Sequence, residues 1–389
     1  MRFKRKKILI LSLILLIVLL PLWMWLAWLF TPKKKLVIAI VDKTEITKKG
    51  QEHVSLTWIL NHERYTKTPD KSYQVSSDYF GFFPKEKEKF RLKGLERFNE
   101  QQLGQLSDDC NAVYLTDTYG VYNNEWFSGK ASTERSGILY GGMSKEDISF
   151  LQKMKGQKKL VIAEFNSIGS PTQPAIREQF QNLFGLSWSG WIGRYFESLD
   201  TNVNKELPHW LIQNYLRQHN NQWPFKKQGI ALVSDKDEVE ILEEGTHLGK
   251  ALPVINTSKT GQQQYGLPAT IEYSFWFDIM RIDTSINHAV ADFAMDVNAA
   301  GKELLSKHQL SPVFPAVISH TGSDYSFYYF CADFCDNPVS FSTSYFKGIS
   351  LFSSFFYKND PAQRGGFFWN YYRPLMTNIL KENYTISKN

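Results

Sequence analysis

Three carboxylates, Asp42, Asp117 and Glu164, each stand at the end of a short apolar run: LVIAIVD, AVYLTD and LVIAE. Carboxyl groups gathered along one edge can carry out general acid–base chemistry or hold sugar hydroxyls. A carboxylate at a strand end also caps the following turn or helix, and both readings stay open for each of the three. Asp333 and Asp336, in FCADFCDN, can approach the same edge if that segment returns to it. Asn166 follows two residues after Glu164. Trp188, Trp191, Arg194 and Tyr195 fall within GLSWSGWIGRYFESLD, a glycine-punctuated aromatic stretch that suits a lid clamping an anionic or sugar ligand. A salt bridge beneath a loop is the competing reading of Arg194. The candidate catalytic residues are therefore Asp117, Glu164 and Asp333, and the candidate ligand-binding residues Asp42, Asn166, Trp188, Trp191, Arg194 and Tyr195.

Nucleophiles are harder to find. Ser167 has Gly169 two positions after it but Phe165 two before, half of a G-x-S-x-G elbow, and His320 lies in a turn with no sequence reason to face it. Cys331 and Cys335 are four apart and Cys110 is remote. The pair suits a disulfide or two unrelated buried thiols, and offers too few ligands for a metal. No metal or cofactor is expected.

What must position these residues is a sheet. Leu160 to Ala163 is apolar on both faces and lies between two helical segments, as in a parallel strand covered on both sides. Ser144 with Asp147 three residues on starts the helix before it, and Gly156 stops it. Leu36 to Val41 and Ala112 to Leu115 read the same way. Three strand-then-helix units argue a parallel sheet wound with helices, with its ligand site past the carboxyl ends of the strands. An aromatic loop (78–84) and a charged helix (85–103) are expected between the first two strands. Period-two alternation from about 229 to 335 predicts an antiparallel extension, and residues 366–381 a closing helix.

The first 35 residues stand apart. Arg2, Lys4, Arg5, Lys6 and Lys7 precede an uncharged run from Ile8 to Phe30, roughly 34 Å as a helix and long enough for a bilayer. With five basic residues before the run and three after it, the expectation is an uncleaved anchor with a cytoplasmic N-terminus and residues 36–389 outside. The net charge of +6 comes from this segment: eight of the 45 Lys and Arg precede residue 36, leaving 37 against 39 Asp and Glu. A near-neutral remainder with mixed-sign runs such as Lys85 to Lys89 excludes a phosphate-tracking stripe, so no nucleic-acid partner is expected.

Four stretches, LVIAIVD, AVYLTDTYG, GG before SKEDISFLQKMKGQKKLVIAEFN, and PAVISHTGSDYSFYYFCADFCDN, together resemble the class I glutamine amidotransferase-like superfamily in its broad sense, which includes trehalose-utilisation-type and β-galactosidase trimerisation-like domains. The resemblance implies a flavodoxin-like parallel sheet extended by antiparallel strands, and a site at the end of strand 160–163. It does not bring the chemistry with it: an amidotransferase needs a thiolate on the elbow, and residues 164–168 here are Glu, Phe, Asn, Ser and Ile. The chain is thus expected to lack glutaminase activity and to bind a ligand or partner, a glycan or an envelope protein, in the cell envelope. The alternative is a carbohydrate-active enzyme using the carboxylate rim on an envelope polysaccharide. A third reading is a structural subunit of an envelope assembly.

Overall fold

The computed structural model describes residues 15–128, 136–358 and 360–388. Helix α1 (Leu20–Phe30) leads into strand β1 (Ile38–Asp42), every residue of which is buried. Helix α2 (Val54–His62), strands β2 (Phe80–Pro84) and β3 (Phe90–Leu92), and helix α3 (Glu100–Asp109) follow. Next come β4 (Ala112–Asp117), α4 (Lys145–Gly156), β5 (Leu160–Glu164) and α5 (Pro174–Phe184). Strand β6 (Leu186–Phe196), helix α6 (His209–Gln218) and strands β7 (Gly229–Ser234) and β8 (Val239–Glu243) precede β9 (Val254–Thr257), α7 (Lys259–Tyr265) and β10 (Thr270–Glu272). The chain ends with β11 (Phe277–Ile282), β12 (His288–Ala294), α8 (Ala299–Lys307), β13 (Val313–Thr321), β14 (Ser326–Phe330) and α9 (Arg373–Ile386).

These elements make a mixed α/β fold with a ten-stranded sheet ordered β10-β9-β12-β13-β14-β5-β4-β1-β2-β3. The segment β14, β5, β4, β1 and β2 is parallel, and the strands on either side pair antiparallel. The centre forms where runs apolar on both faces can be covered on both sides, which is why β1, β4 and β5 are buried along their whole length. Capping boxes start the covering helices: Asn99 with Gln102 opens α3, and Ser144 with Asp147 opens α4. At the outer edge Gly81 pairs with Asp42. A Cβ there would fall 1.6 Å from the Asp42 carbonyl oxygen, so glycine is what lets β2 close on β1.

Several expectations are corrected. Residues 80–84 are strand β2, not loop, and the helix expected over 85–103 begins only at Glu100. Lys87 and Glu88 take positive φ in the turn between β2 and β3, and the Asn99 box sets the later helix start. The antiparallel region 229–335 is not one extension: β7 and β8 join β6 and β11 in a separate four-stranded sheet, β8-β7-β6-β11. Period two reports exposure and not partnership, so the sequence could not separate the two sheets. The closing helix is longer than 366–381. A helical turn at Arg364–Phe367 and a π segment at Phe368–Tyr372 run into α9. Of the two readings left open for Cys331 and Cys335 the structure has buried thiols: these two and Cys110 are free.

Among the described residues no helix is long and apolar enough to cross a membrane. Residues 8–14 of the expected span lie outside the described residues. The end of α1 docks on the sheet domain: the Trp28 indole donates to the Asn61 carbonyl (2.9 Å), and the Arg64 guanidinium stacks 4.2 Å from the Trp28 ring.

Candidate functional site

The carboxyl ends of β1, β4 and β5 bring Asp42, Asp117 and Glu164 to one rim, and all three are buried. Each is already engaged. Asp42 Oδ1 accepts from the Thr44 and Glu45 amides (3.0 and 3.2 Å), and its Oδ2 meets His53 Nδ1 at 2.6 Å. His53 Nε2 faces the Val75 carbonyl at 2.8 Å. With an acceptor at both nitrogens the ring is placed as an imidazolium. Burial works against that charge, but the Asp42 hydrogen bond and carboxylate raise the ring above its usual value.

Asp117 accepts from Thr44 Oγ1 (2.6 Å), the Tyr119 amide (2.5 Å) and Asn166 Nδ2 (3.1 Å). Burial outweighs those bonds and pushes its carboxyl up to about 8. Glu164 accepts from the Tyr114 hydroxyl (2.5 Å) and the Cys335 amide (3.1 Å), and burial, then Asp333, raise it well above the carboxylate range. A carboxyl raised on folding takes up a proton, so Asp117 supports the fold fully below about pH 4 and loses that contribution as pH rises to about 8. Wild-type melting temperature is expected to fall across this window and Asp117→Asn to flatten the fall. An unchanged slope in the variant would remove Asp117 from the account.

The less deeply buried part of the rim is built by residues that the strand ends do not announce. Glu52, immediately before α2, brings a carboxylate oxygen within 4.8 Å of Asp333 and Asp336, which follow β14. Arg364 gathers the two aspartates. Its Nη2 lies 2.6 Å from Asp333 Oδ2 and 3.3 Å from Asp336 Oδ2, while Nη1 donates to the carbonyls of both residues (2.8 and 2.7 Å). The guanidinium stacks 4.1 Å from the Phe275 ring. Gln51 reaches Asp336 Oδ2 at 3.2 Å, and Asp336 Oδ1 has no partner among the described residues. Burial, then Asp333, push Asp336 up to about 6. Glu52 is partly buried and faces four acids. Burial, then Asp336, Asp333, Asp117 and Asp42, raise it well above its usual value.

Among the described residues two groups of side chains are close enough together to share a metal ion, Asp42 with Glu45 and His53, and Glu52 with Asp333 and Asp336. In each a protein cation is already in place, His53 against Asp42 and Arg364 between the aspartates.

The expected lid is instead strand β6. Trp188 does line a cleft together with Asn166. Trp191 is buried against His308 (4.6 Å between rings), and the Tyr195 hydroxyl bonds Gln228 at 2.6 Å. Arg194 pairs with Glu206 (2.9 Å) and not with Glu164 or Asp117. It shares a 510 Å³ cavity with Arg364 and Trp276, on the Asp333 side. Ser167 is buried, whereas His320, bonded to Asp324 (2.8 Å), lies at the other end of the sheet. The register that pairs Ser326 with Leu160 puts the 320–325 turn at the amino end of β5, so Ser167 and His320 form no dyad. Glu52, Gln51, His53 and Arg364 were missed. The one available signal was that Glu52 precedes the helix following β1, a position that parallel sheets bring to the carboxyl-end rim.

No family model matches this sequence. No curated protein matches it either. Solved structures similar to the chain include a putative ThuA-like protein from Parabacteroides merdae ATCC 43184, at 12% identity and a TM-score of 0.35 over 77% of this chain and 79% of that one. The carbohydrate deacetylase Agd3 is similar at 11% identity and a TM-score of 0.32 over 77% of this chain. The β-galactosidase from Rahnella sp. R3 is similar at 9% and 0.30 over 70%. The chain spans 29% of the length of Agd3 and 23% of that of the galactosidase.

Proposed function

We propose that the protein is a carbohydrate-active hydrolase of the cell envelope in which Glu52 is the acid and base and Asp333 the nucleophile. The observation that supports this is the approach of the Glu52 carboxyl to within 4.8 Å of an aspartate pair fixed by Arg364. Carboxyls whose surroundings differ in this way divide into proton donor and anion. Protonated Glu52 gives its proton to the leaving glycosidic oxygen as the bond to the anomeric carbon breaks. Asp333 attacks that carbon, and water, deprotonated by Glu52, then releases the sugar. Retaining pairs stand about 5–5.5 Å apart and inverting pairs about 6.5–9.5 Å, and an oxygen approach within 4.8 Å favours the retaining arrangement. The basic N-terminus and the uncharged run Ile8 to Phe30 are read as the bilayer anchor that holds the site outside the membrane.

A second reading, a ligand-binding domain without catalysis, is favoured by the engagement of Asp42, Asp117 and Glu164 in bonds of the fold itself. Incubating the full-length protein with neutral and amino polysaccharides and assaying new reducing ends separates the two. Release with retained anomeric configuration by NMR supports the hydrolase. Binding without release from any of them favours the second reading.

A further inference from the structure

Residues 341–357 read FSTSYFKGISLFSSFFY, a stretch of aromatics and serines with a single charge, Lys347, and no part in the candidate site. Its first turn, Phe341–Tyr345, is braced on α2: the Trp58 indole donates to Thr343 Oγ1 (2.8 Å) and Asn61 Nδ2 to Ser344 Oγ (2.7 Å). From there the chain climbs α1. The Tyr345 and Trp28 rings meet edge to face, 4.8 Å between centres, and two residues later the Lys347 amide donates to the Met24 carbonyl at 3.1 Å. Met24 is about one helical turn nearer the N-terminus of α1 than Trp28. Gly348 then turns the chain at φ +81°, where glycine is unstrained, and a second short helical turn, Ile349–Phe355, follows.

This second turn shows apolar side chains to its surroundings. Leu351 and Phe355 are each 84% exposed, and Phe356 46%. Exposed apolar residues scattered singly are ordinary, but these are clustered, on a segment bonded to a helix whose Leu22, Trp23, Leu29 and Phe30 are exposed as well. Depth along α1 points to what covers them. Lys33, Lys34 and Lys35 follow this helix, so as a bilayer anchor it meets the headgroups near Phe30. Met24 lies about 9 Å along the helix from Phe30, on the membrane side. Elements that lie in the interface sink their apolar face about 5–10 Å into the boundary of headgroups and acyl chains. The Lys347 side chain returns toward water: its ammonium lies 3.2 Å from Glu63, next to Arg64, whose carbonyl takes the Lys34 amide. A lysine snorkels in this way when its backbone is deeper than the headgroups.

We propose that residues 349–356 are a membrane-docking segment that lies in the headgroup–acyl boundary beside α1 and inserts Leu351, Phe355 and Phe356 among the lipid chains. This rests on the reading of Ile8 to Phe30 as a bilayer anchor and is independent of the chemistry at Glu52. Its consequence is orientation. A single helix lets the domain swivel, whereas a second contact braced on α2 holds the rim, which starts with Glu52 at the other end of α2, in a fixed attitude to the membrane.

Full-length protein carrying a nitroxide at Leu351→Cys, Phe355→Cys, Leu16→Cys or Val203→Cys would be reconstituted into phosphatidylcholine–phosphatidylglycerol vesicles. Collisions of each label with oxygen and with a water-soluble nickel chelate are read by electron paramagnetic resonance. All four positions are exposed, so cysteine there should not disturb the fold, and the native thiols are buried, with unsubstituted protein giving their background. Labels at 351 and 355 should keep oxygen collisions and lose nickel collisions relative to Val203, which lies between β6 and α6. Nickel access at 351 and 355 equal to that at 203, with Leu16 shielded, would overturn the docking segment and leave the anchor standing. Nickel access at Leu16 as well would remove the anchor reading and the proposal with it. Loss of both kinds of collision at 351 and 355, with dipolar broadening between labels on two chains, would give the face to a second copy of the protein and overturn the proposal too.

Discussion

Glu52→Gln is expected to lower kcat on polysaccharide by about a hundredfold to ten-thousandfold, the range for losing a positioned general acid. Glutamine keeps the shape and removes the transferable proton. The loss should shrink with an aryl glycoside, whose leaving group needs no protonation. Because Glu52 is raised by burial and by the surrounding acids, and only its protonated form donates, wild-type kcat should fall as pH rises through that elevated value. The same limb should be absent from the variant. Stability should not fall, because the carboxyl has no hydrogen-bond partner among the described residues to lose and faces other acids, and any gain should grow as pH rises, where the buried charge is removed. A variant with undiminished kcat on polysaccharide, or with the same pH limb, would take the acid role away from Glu52.

Arg364→Leu is expected to cost about 3–5 kcal/mol of folding stability, the usual penalty for stranding partners of a buried ion pair. It leaves Asp333 and Asp336 facing each other and Glu52, and orphans two carbonyls that Nη1 had satisfied. The pH dependence has a definite sign. Without the guanidinium, Asp336 and Glu52, already raised, rise further, so the folded state binds protons that the unfolded state releases. The deficit should therefore be large at pH 8 and shrink as pH falls toward 4. Arg364→Lys should recover only part of it, because an ammonium cannot span both aspartates and both carbonyls at once. Urea midpoints at pH 5 and pH 8 would measure this, and an equal loss at both would show that packing on Phe275, rather than charge, is what Arg364 supplies.

The centre of the sheet was legible because β1, β4 and β5 carry a local mark, an apolar run closed by a carboxylate, and α4 carries its capping box. The rim followed from strand direction alone. Strand β14 was readable as a hairpin arm, but its parallel seat on β5 depends on a pairing between Ser326 and Leu160 that no local pattern encodes. The group around Glu52 was illegible for the same reason. Gln51 and Asp336 are 285 residues apart, and Arg364 sits beside two glycines in a stretch with no catalytic signature. The aromatic stretch 186–196 misled because tryptophan and glycine suit a lid as well as a bulged strand, and only the neighbours β7 and β11 decide between them.

The seat of β14 also sets an order of events during synthesis. Glu52 leaves the ribosome long before Asp333, Asp336 and Arg364 exist, and until residues 326–330 arrive β5 presents an unpaired parallel edge next to β4. At about 5–20 residues per second that edge stays open for about 10–30 s. An open edge of Leu, Val, Ile and Ala is a template for another nascent chain. Production of this protein is thus expected to be sensitive to holdase chaperones that shield β5, and the acid at residue 52 stays without its counterparts until residues 333–364 have been made.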